Sequence, residues 1–147
     1  MSPQLNTPYQ FDPRPNLICA GQPDAAGFQA AAQAGVVAVM NLRPDEEMDW
    51  DEAALIKELG LDYLQIPVSS PADLSQDNAR QLNAWLEQYA GKPVLVHCAS
   101  SNRVGALLAL GAFLQGASGE QALQLGRDAG LTRMEPMVAS LMQQWAA

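Results

Sequence analysis

The sequence predicts an α/β fold of three layers, with a mostly parallel central sheet of about four to five strands between two sets of helices. Apolar runs of strand length alternate with stretches of helical periodicity, which is typical of parallel strands joined by helical crossovers. The run Val36–Leu42 is almost continuously apolar, as is common in strands that are covered on both faces. At 147 residues, 48% of them apolar, the chain is long enough to bury a core.

The N-terminal segment, residues 1–16, is expected to form an extended surface arm that precedes a single domain over residues 17–147. Its four prolines disfavour helices and central strands, and they are Pro3, Pro8, Pro13 and Pro15. The apolar residues Leu17–Ala20 then predict a short strand, and a turn follows at residues 21–23.

The first half of the domain is predicted to alternate helices and strands. Asp24 is a suitable N-cap for a helix that ends before Gly35. The strand Val36–Leu42 leads into a charged loop, and a second helix is expected at about residues 51–59. Residues 62–68 then predict a third strand.

The second half is predicted to contain a helix, a strand and three further helices. Ser75 can cap a helix with apolar residues at helical spacing, and Lys92–His97 has the character of a buried strand. The apolar run Val104–Leu110 predicts a core helix. Two capping-box patterns, at residues 118–121 and 132–135, predict the starts of the last two helices.

Charge and composition restrict the possible functions. A net charge of −8 argues against a general nucleic-acid or membrane-surface binder, although one basic loop can still bind a phosphate. The two cysteines, Cys19 and Cys98, do not make a disulfide framework, so a cytoplasmic location is expected. The chain starts without the features of a signal peptide, and the apolar stretch Val104–Leu114 is too short to span a bilayer. With one histidine and no metal-ligand spacing, neither a metal nor another cofactor is expected.

The most informative stretch is Cys98-Ala99-Ser100-Ser101-Asn102-Arg103, between the predicted strand and the predicted core helix. Backbone N–H groups at a helix start attract an anion, and the same field favours the thiolate of Cys98, which is the nucleophilic form. Arg103 supplies a planar fork that can bind two oxygens of a phosphate. Because ligands bind at the carboxyl ends of parallel strands, this loop should converge with the loops after Leu42 and Val68.

With these motifs, the chain resembles the cysteine-dependent phosphatase superfamily. More specifically, it resembles small bacterial dual-specificity-like phosphatases related to the phosphatase-like domain of β-lactamase-hydrolase-like proteins. The resemblance extends from Leu17 to about Arg133. Its markers, in order, are Ala20-Gly21-Gln22-Pro23, residues 35–44, Ile66-Pro67-Val68, and Val94-Leu95-Val96-His97-Cys98 with Arg103.

The resemblance implies a chemical role for each part of the loop. Cys98 would attack phosphorus and form a phosphocysteine, and Arg103 would hold the phosphoryl oxygens. His97 would hold the Cys98 backbone, although a histidine at this position can also be a hydrogen-bonded core residue. Independently of the resemblance, Arg43 with Glu46 or Glu47 is expected to orient Arg103, to reach the pocket or to form a solvated turn. The substrate-binding residues would be Ala99, Ser100, Ser101, Asn102 and Val104.

Two further residues are candidates with open alternatives. Asp73 is predicted as the general acid because it is the nearest carboxylate in the loop at residues 69–74, which follows the third predicted strand. Asp77 is farther away, in the first turn of the next helix. An aspartate at a helix start is equally explained by the helix dipole. Arg133 is either a second contact for an anion or a solvated residue.

Three features depart from the usual superfamily pattern. Only four residues separate Cys98 from Arg103 instead of five, a spacing that the bacterial subgroup shares and that many rhodanese loops also have. Ser101 replaces a loop glycine, where a positive φ angle is expected. Val104 replaces a hydroxyl residue that would donate to the sulfur, which predicts slow breakdown of the phosphocysteine.

These observations lead to one main hypothesis and two alternatives. The main hypothesis is a phosphomonoester hydrolase that acts on a phosphorylated small molecule or a phosphoprotein, with a loop that also binds phosphate or sulfate. The four-residue spacer also fits a rhodanese-like sulfurtransferase. The residues Ser101 and Val104, with no aspartate directly after the third strand, fit a degenerate domain that binds an oxyanion without turnover.

Overall fold

The computed structural model describes residues 3–146, which form the three-layer α/β fold that the sequence predicts. The strands are β1 (Gln10–Arg14), β2 (Leu17–Ala20), β3 (Ala38–Asn41), β4 (Asp62–Gln65) and β5 (Val94–His97). The helices are α1 (Ala25–Gln33), α2 (Glu52–Glu58), α3 (Gln76–Gln88), α4 (Asn102–Leu114), α5 (Gly119–Asp128) and α6 (Glu135–Ala146). Within this range, no helix is both long and apolar enough to cross a bilayer.

The sheet has the strand order β1-β2-β5-β3-β4, with β5 at its centre. The strands β2, β5, β3 and β4 are parallel, and only β1 is antiparallel to its neighbour. His97 at the end of β5 is level with Ala20 on one side and Asn41 on the other. The three following loops therefore leave the same edge of the sheet and can form one site.

Helices cover both faces of the sheet. On one face, residues such as Leu82 of α3, Leu107 of α4 and Val138 of α6 form the larger core with inward-facing strand residues. On the other face, Phe28 of α1 and Ile56 of α2 form the smaller core. Burial on both faces explains why the central strands are almost continuously apolar in sequence.

The N-terminal segment differs from the predicted surface arm, since it bends at residues 6–8, is extended in β1 and is partly buried. Leu5 is fully buried in the smaller core, and a Cβ on Gly27 would come within 2.2 Å of the Leu5 carbonyl oxygen. Strand β1 pairs with β2 at the edge of the sheet, with an irregular register around Pro13. An edge strand accepts proline because the missing N–H leaves no ladder hydrogen bond unmade.

Most predicted helix caps are confirmed, and one has different partners. Asp24 and Ser75 each accept a backbone N–H of their helix, and residues 118–121 form a reciprocal capping box. At residues 132–135, Thr132 Oγ1 instead donates to Asn102 Oδ1 at 3.3 Å, while Glu135 pairs with Arg127 at 2.8 Å. Tertiary contacts with the Cys98 loop thus replace the capping box that local sequence predicted.

Candidate active site

The loop that follows β5 is fixed at both of its ends. The Cys98 N–H donates to the Ala20 carbonyl at 3.1 Å, and Ser100 forms an isolated bridge with Gly21. A Cβ on Gly21 would lie 2.6 Å from the Ala99 carbonyl oxygen, so a larger residue would push the loop away. Cys98 is 1% exposed and lies at the base of the loop.

Ser101 has the left-handed backbone that the missing loop glycine led us to expect, with φ 67° and ψ 0°. This conformation costs an L-residue roughly 1–2 kcal/mol. Its hydroxyl donates to the Ala129 carbonyl at 2.6 Å, and Gly130 leaves room for it, since a Cβ there would lie 2.7 Å from Ser101 Cβ. The α5–α6 connection therefore holds the strained loop in place.

The first N–H groups of α4 are available to an anion. The first backbone hydrogen bond of α4 runs from Gly105 to the Ser101 carbonyl at 2.9 Å. Among the described residues, no backbone carbonyl accepts from the N–H groups of Asn102, Arg103 or Val104. Free N–H donors and the positive end of a helix dipole are the features that attract an anion to a helix start.

Arg103 is held by the two neighbouring loops. Its Nη1 and Nη2 atoms donate to the two carboxylate oxygens of Glu47 at 2.8 and 2.9 Å, and Nη1 also donates to the Val68 carbonyl at 3.0 Å. The predicted convergence of the three loops is therefore confirmed. Of the five N–H donors of a guanidinium, Nε–H and one Nη2–H remain, and they share one edge that can bind two phosphate oxygens.

Glu47 lies between Arg43 and Arg103. Of the two glutamates considered from sequence, Glu46 and Glu47, it is therefore Glu47 that contacts both arginines. Arg43 Nε donates to Glu47 Oε1 at 3.2 Å, and Arg43 Nη2 donates to the Glu47 carbonyl at 2.7 Å. The hydrogen bond from Arg103 holds the pKa of Glu47 below its usual range, with Arg43 adding to the effect. Burial alone would lower the pKa of Arg103, but Glu47 and Cys98 together outweigh this and raise it. The ion pair thus persists at neutral pH.

Changing Glu47 to glutamine is expected to reduce kcat/KM for a phosphate ester by about tenfold at neutral pH, because a charge-assisted contact on Arg103 is lost. The pKa of Glu47 is lower in the folded protein than in the unfolded chain. The ionised Glu47 carboxylate therefore stabilises the fold fully at pH values above its unfolded pKa, and this stabilisation is lost as the pH falls through its folded pKa. As the pH falls through the folded pKa of Glu47, the wild type should therefore lose more of its activity than Glu47→Gln does. The check is a pH–rate profile with melting curves at each pH. Glu46→Gln, at the exposed neighbour, is the matched control, and identical profiles for all three proteins would refute this role.

A buried histidine–carboxylate pair lies directly behind the loop, and sequence reasoning did not find its acidic member. His97 Nε2 is 2.6 Å from Glu52 Oε2, and the two residues are 0% and 2% exposed. Phe28 packs edge-on against the His97 ring at 5.6 Å and helps to seal the pair from solvent. His97 Nδ1 is 3.4 Å from the Cys98 carbonyl oxygen, so the ring also reaches the backbone of the loop.

Gln22 links this pair to the arginines, and it too was missed as a site residue. Its Nε2 donates to Glu52 Oε1 at 2.7 Å, and its Oε1 accepts from Arg43 Nη1 at 2.7 Å. Arg43 does not line the cavity but supports it through Glu47. A continuous chain of side-chain contacts therefore surrounds the loop, in the order His97, Glu52, Gln22, Arg43, Glu47 and Arg103.

A cavity of about 430 Å³ lies in front of Arg103. Of the predicted substrate-binding residues, Ala99, Ser100 and Asn102 line this cavity. Ser101 and Val104 are fully buried beneath it, so any contribution from them comes through the backbone. The remaining lining residues are Glu47, Val68, Ser69, Ser70, Pro71, Arg133 and Met134.

The sequence also matches a known family over residues 13–115, described as the phosphatase-like domain of β-lactamase hydrolase-like protein. The chain belongs to this family. The matched range includes Cys98, Arg103 and Glu52, so the candidate site lies within it. Membership places the protein in the cysteine-dependent phosphatase superfamily, as its sequence motifs predicted. No curated protein matches the chain.

Solved structures of phosphatase-like proteins share the fold of this family member. A protein named "Putative phosphatase (DUF442)" from Shewanella putrefaciens CN-32 is 28% identical, with a TM-score of 0.70, over 92% of this chain and 87% of that one. Tk-PTP is 21% identical with a TM-score of 0.72, over 93% and 97%. A cysteine-to-serine variant of TpbA from P. aeruginosa, in complex with pTyr, is 21% identical with a TM-score of 0.61, over 96% and 98%.

In this phosphatase-like domain, Asp73 lies beside the cavity rather than in it. Its Oδ2 accepts from the N–H groups of Ser69 and Ser70 at 2.8 and 3.1 Å and so caps a short 3-10 helix, Pro71–Asp73. It lines a separate, smaller cavity with residues such as Gln65. Among the described residues, Glu47 contributes the one carboxylate that lines the Arg103 cavity. The role of Asp73 as general acid therefore stays a prediction.

The second cysteine and the other acidic residues of the domain lie outside this chemistry. Cys19 is a free, fully buried thiol in β2, and burial raises its pKa far above its usual value. A raised pKa keeps the thiol protonated, which fits the inert core role expected of Cys19. No three His, Cys, Asp or Glu side chains in residues 3–146 are grouped in a way that could hold a metal ion.

Proposed function

We propose that the protein is a phosphomonoester hydrolase in which Cys98 is the nucleophile. The observation that supports this proposal is the position of Cys98 in a loop that leads into the unpaired N–H groups at the start of α4, within electrostatic reach of Arg103. Hydrogen-bond donors held in fixed positions around a transferring phosphoryl group are the main source of catalysis in such reactions.

The proposed reaction has two steps. In the first, the Cys98 thiolate attacks phosphorus, the phosphorus–oxygen ester bond breaks, and the leaving oxygen takes up a proton. In the second, water attacks the phosphocysteine, which releases inorganic phosphate and restores the thiolate. In both steps the loop amides and the Nε/Nη2 edge of Arg103 bind the three phosphoryl oxygens, while Glu47 keeps that edge turned toward them.

The surroundings of the cavity indicate which esters react best. The carboxylate of Glu47 is engaged by two arginines, and that of Asp73 accepts two backbone N–H groups. Neither is free to donate a proton in this arrangement. Esters of acidic phenols, whose oxygen leaves without protonation, should therefore turn over faster than alkyl phosphates, which need a general acid. Movement of the loop 69–73 would bring Asp73 into that role.

The test is an assay of the purified protein with an aryl phosphate and, in parallel, with thiosulfate and cyanide. Phosphate release without thiocyanate release is the expected result. Thiocyanate release with a persulfide on Cys98 would favour the sulfurtransferase alternative. If no ester is hydrolysed but phosphate raises the melting temperature, the protein binds oxyanions without turnover.

A further inference from the structure

Arg133 is an exposed arginine on the wall of the cavity that contains Arg103. No side chain among residues 3–146 forms an ion pair with it, whereas Arg43 and Arg103 share Glu47. Within that range, Arg80 on α3 also contacts no carboxylate, but it lies outside the cavity, whereas Arg133 lines it. Its positive charge is free to act on the contents of the cavity.

The nearest acidic residue in sequence is already occupied. Glu135 lies two positions after Arg133, but Arg127 binds both of its carboxylate oxygens, through Nε and Nη2, at 2.8 Å each. The carboxylate that lines the cavity, Glu47, is held by Arg103 and Arg43. The carboxylates of Glu135 and Glu47 are therefore already paired with other arginines and do not pair with Arg133.

The backbone that carries Arg133 is fixed to the Cys98 loop. The Thr132 N–H donates to Asn102 Oδ1 at 2.9 Å, and the Thr132 hydroxyl donates to the same oxygen at 3.3 Å. On the other side of this segment, Leu131 packs so closely on α4 that a Cβ on Gly105 would lie 2.5 Å from its backbone nitrogen. The distance between the backbones of Arg133 and Arg103 is thus set by the fold, which lowers the entropic cost of binding two groups at once.

We propose that Arg133 binds a second anionic group of the substrate, and that the substrate is a small organic molecule carrying two phosphate groups. The proposal rests on the proposed function, because Cys98 and Arg103 take the phosphate that is cleaved. The cavity, at about 430 Å³, falls within the range of about 300–1,000 Å³ typical of small-molecule sites. Met134 and Pro71 supply an apolar wall for the carbon skeleton between the phosphates.

The test compares phenyl phosphate with a benzene ring that carries two phosphate groups. In the wild type, kcat/KM for the bisphosphate should exceed that for phenyl phosphate by about tenfold, as expected of one charge-assisted contact. Arg133→Ala should remove most of this ratio, mainly through KM, and Arg133→Glu should reverse it. Arg80→Ala is the matched control, since Arg80 lies on α3 and contacts Gln76 instead of the cavity, and it should preserve the ratio.

Calorimetric binding separates failure of this inference from failure of the proposed function. If the wild type hydrolyses neither ester, the proposed function fails, but the inference still requires the bisphosphate to bind about tenfold more tightly than inorganic phosphate. Arg133→Ala must then remove that difference. Equal ratios in the wild type and Arg133→Ala would overturn the inference, as would a preference for a phosphotyrosine peptide with acidic neighbours over the bisphosphate.

Discussion

Replacing Cys98 with serine is expected to lower turnover of an aryl phosphate by about 10⁴-fold or more, because a serine hydroxyl stays protonated where a thiolate can form. The two side chains differ by one atom, so the loop and the oxyanion site should be preserved. Initial rates give the measurement, and binding of phosphate to the variant shows that the site is intact.

The control for this change is the other cysteine. Cys19→Ala alters a buried thiol in the neighbouring strand β2 rather than in the loop itself, and should leave kcat within about twofold of the wild type. Retention of more than a tenth of wild-type turnover by Cys98→Ser would show that the sulfur is not the nucleophile. Equal losses in the two variants would point instead to a general effect on folding.

Replacing Glu52 with alanine is expected to destabilise the protein by about 3–5 kcal/mol, which is typical when one partner of a buried ion pair is removed. The carboxylate satisfies both His97 Nε2 and the side-chain amide of Gln22, and the fully buried His97 ring cannot turn to water in the folded state. Urea unfolding monitored by circular dichroism measures the free energy of unfolding.

Two further variants test that the effect comes from the pair. Glu58→Ala removes an exposed carboxylate at the other end of α2 and should cost less than about 0.5 kcal/mol. Glu52→Gln preserves the shape and should cost less than Glu52→Ala. If Glu52→Ala and Glu58→Ala have similar free energies of unfolding, the buried pair does not contribute to stability as proposed.

Much of the site could be predicted because its parts lie close together in sequence. A buried strand, a cysteine, a short loop and an arginine that opens an apolar helix together indicate an anion site, and the fold places Cys98 and Arg103 accordingly. The replacement of glycine by Ser101 also indicated a positive φ angle, and the structure has one. Both features, the strand–loop–helix motif and the positive φ angle, depend on residues that are neighbours in sequence.

Glu52 could not be found in the same way. It is 45 positions away from His97, and an acidic residue directly after the N-cap of a helix is normally explained by the helix dipole. One signal was present, since Glu52 lies four residues before the buried Ile56 and therefore shares its face of α2. A carboxylate on the buried face of a helix needs a partner, and His97 is the one histidine of the chain.

Other differences from the predictions also come from contacts between distant residues. Thr132 and Glu135 have the sequence of a capping box, yet they bind Asn102 and Arg127, respectively. Asp73 lies in the expected loop, but it caps the backbone of that loop instead of facing the cavity. Polar side chains have several partners of similar energy available, and only the three-dimensional arrangement selects among them.

The most direct test of Cys98 as the nucleophile is rapid-quench mass spectrometry of the wild type during turnover of an aryl phosphate. Because Val104 offers no hydroxyl to the departing sulfur, breakdown of the phosphocysteine should be slower than its formation. The expected result is a burst of phenol release together with a phosphoryl group on the peptide that contains Cys98. Steady phosphate release with no burst and an unmodified Cys98 would contradict the mechanism.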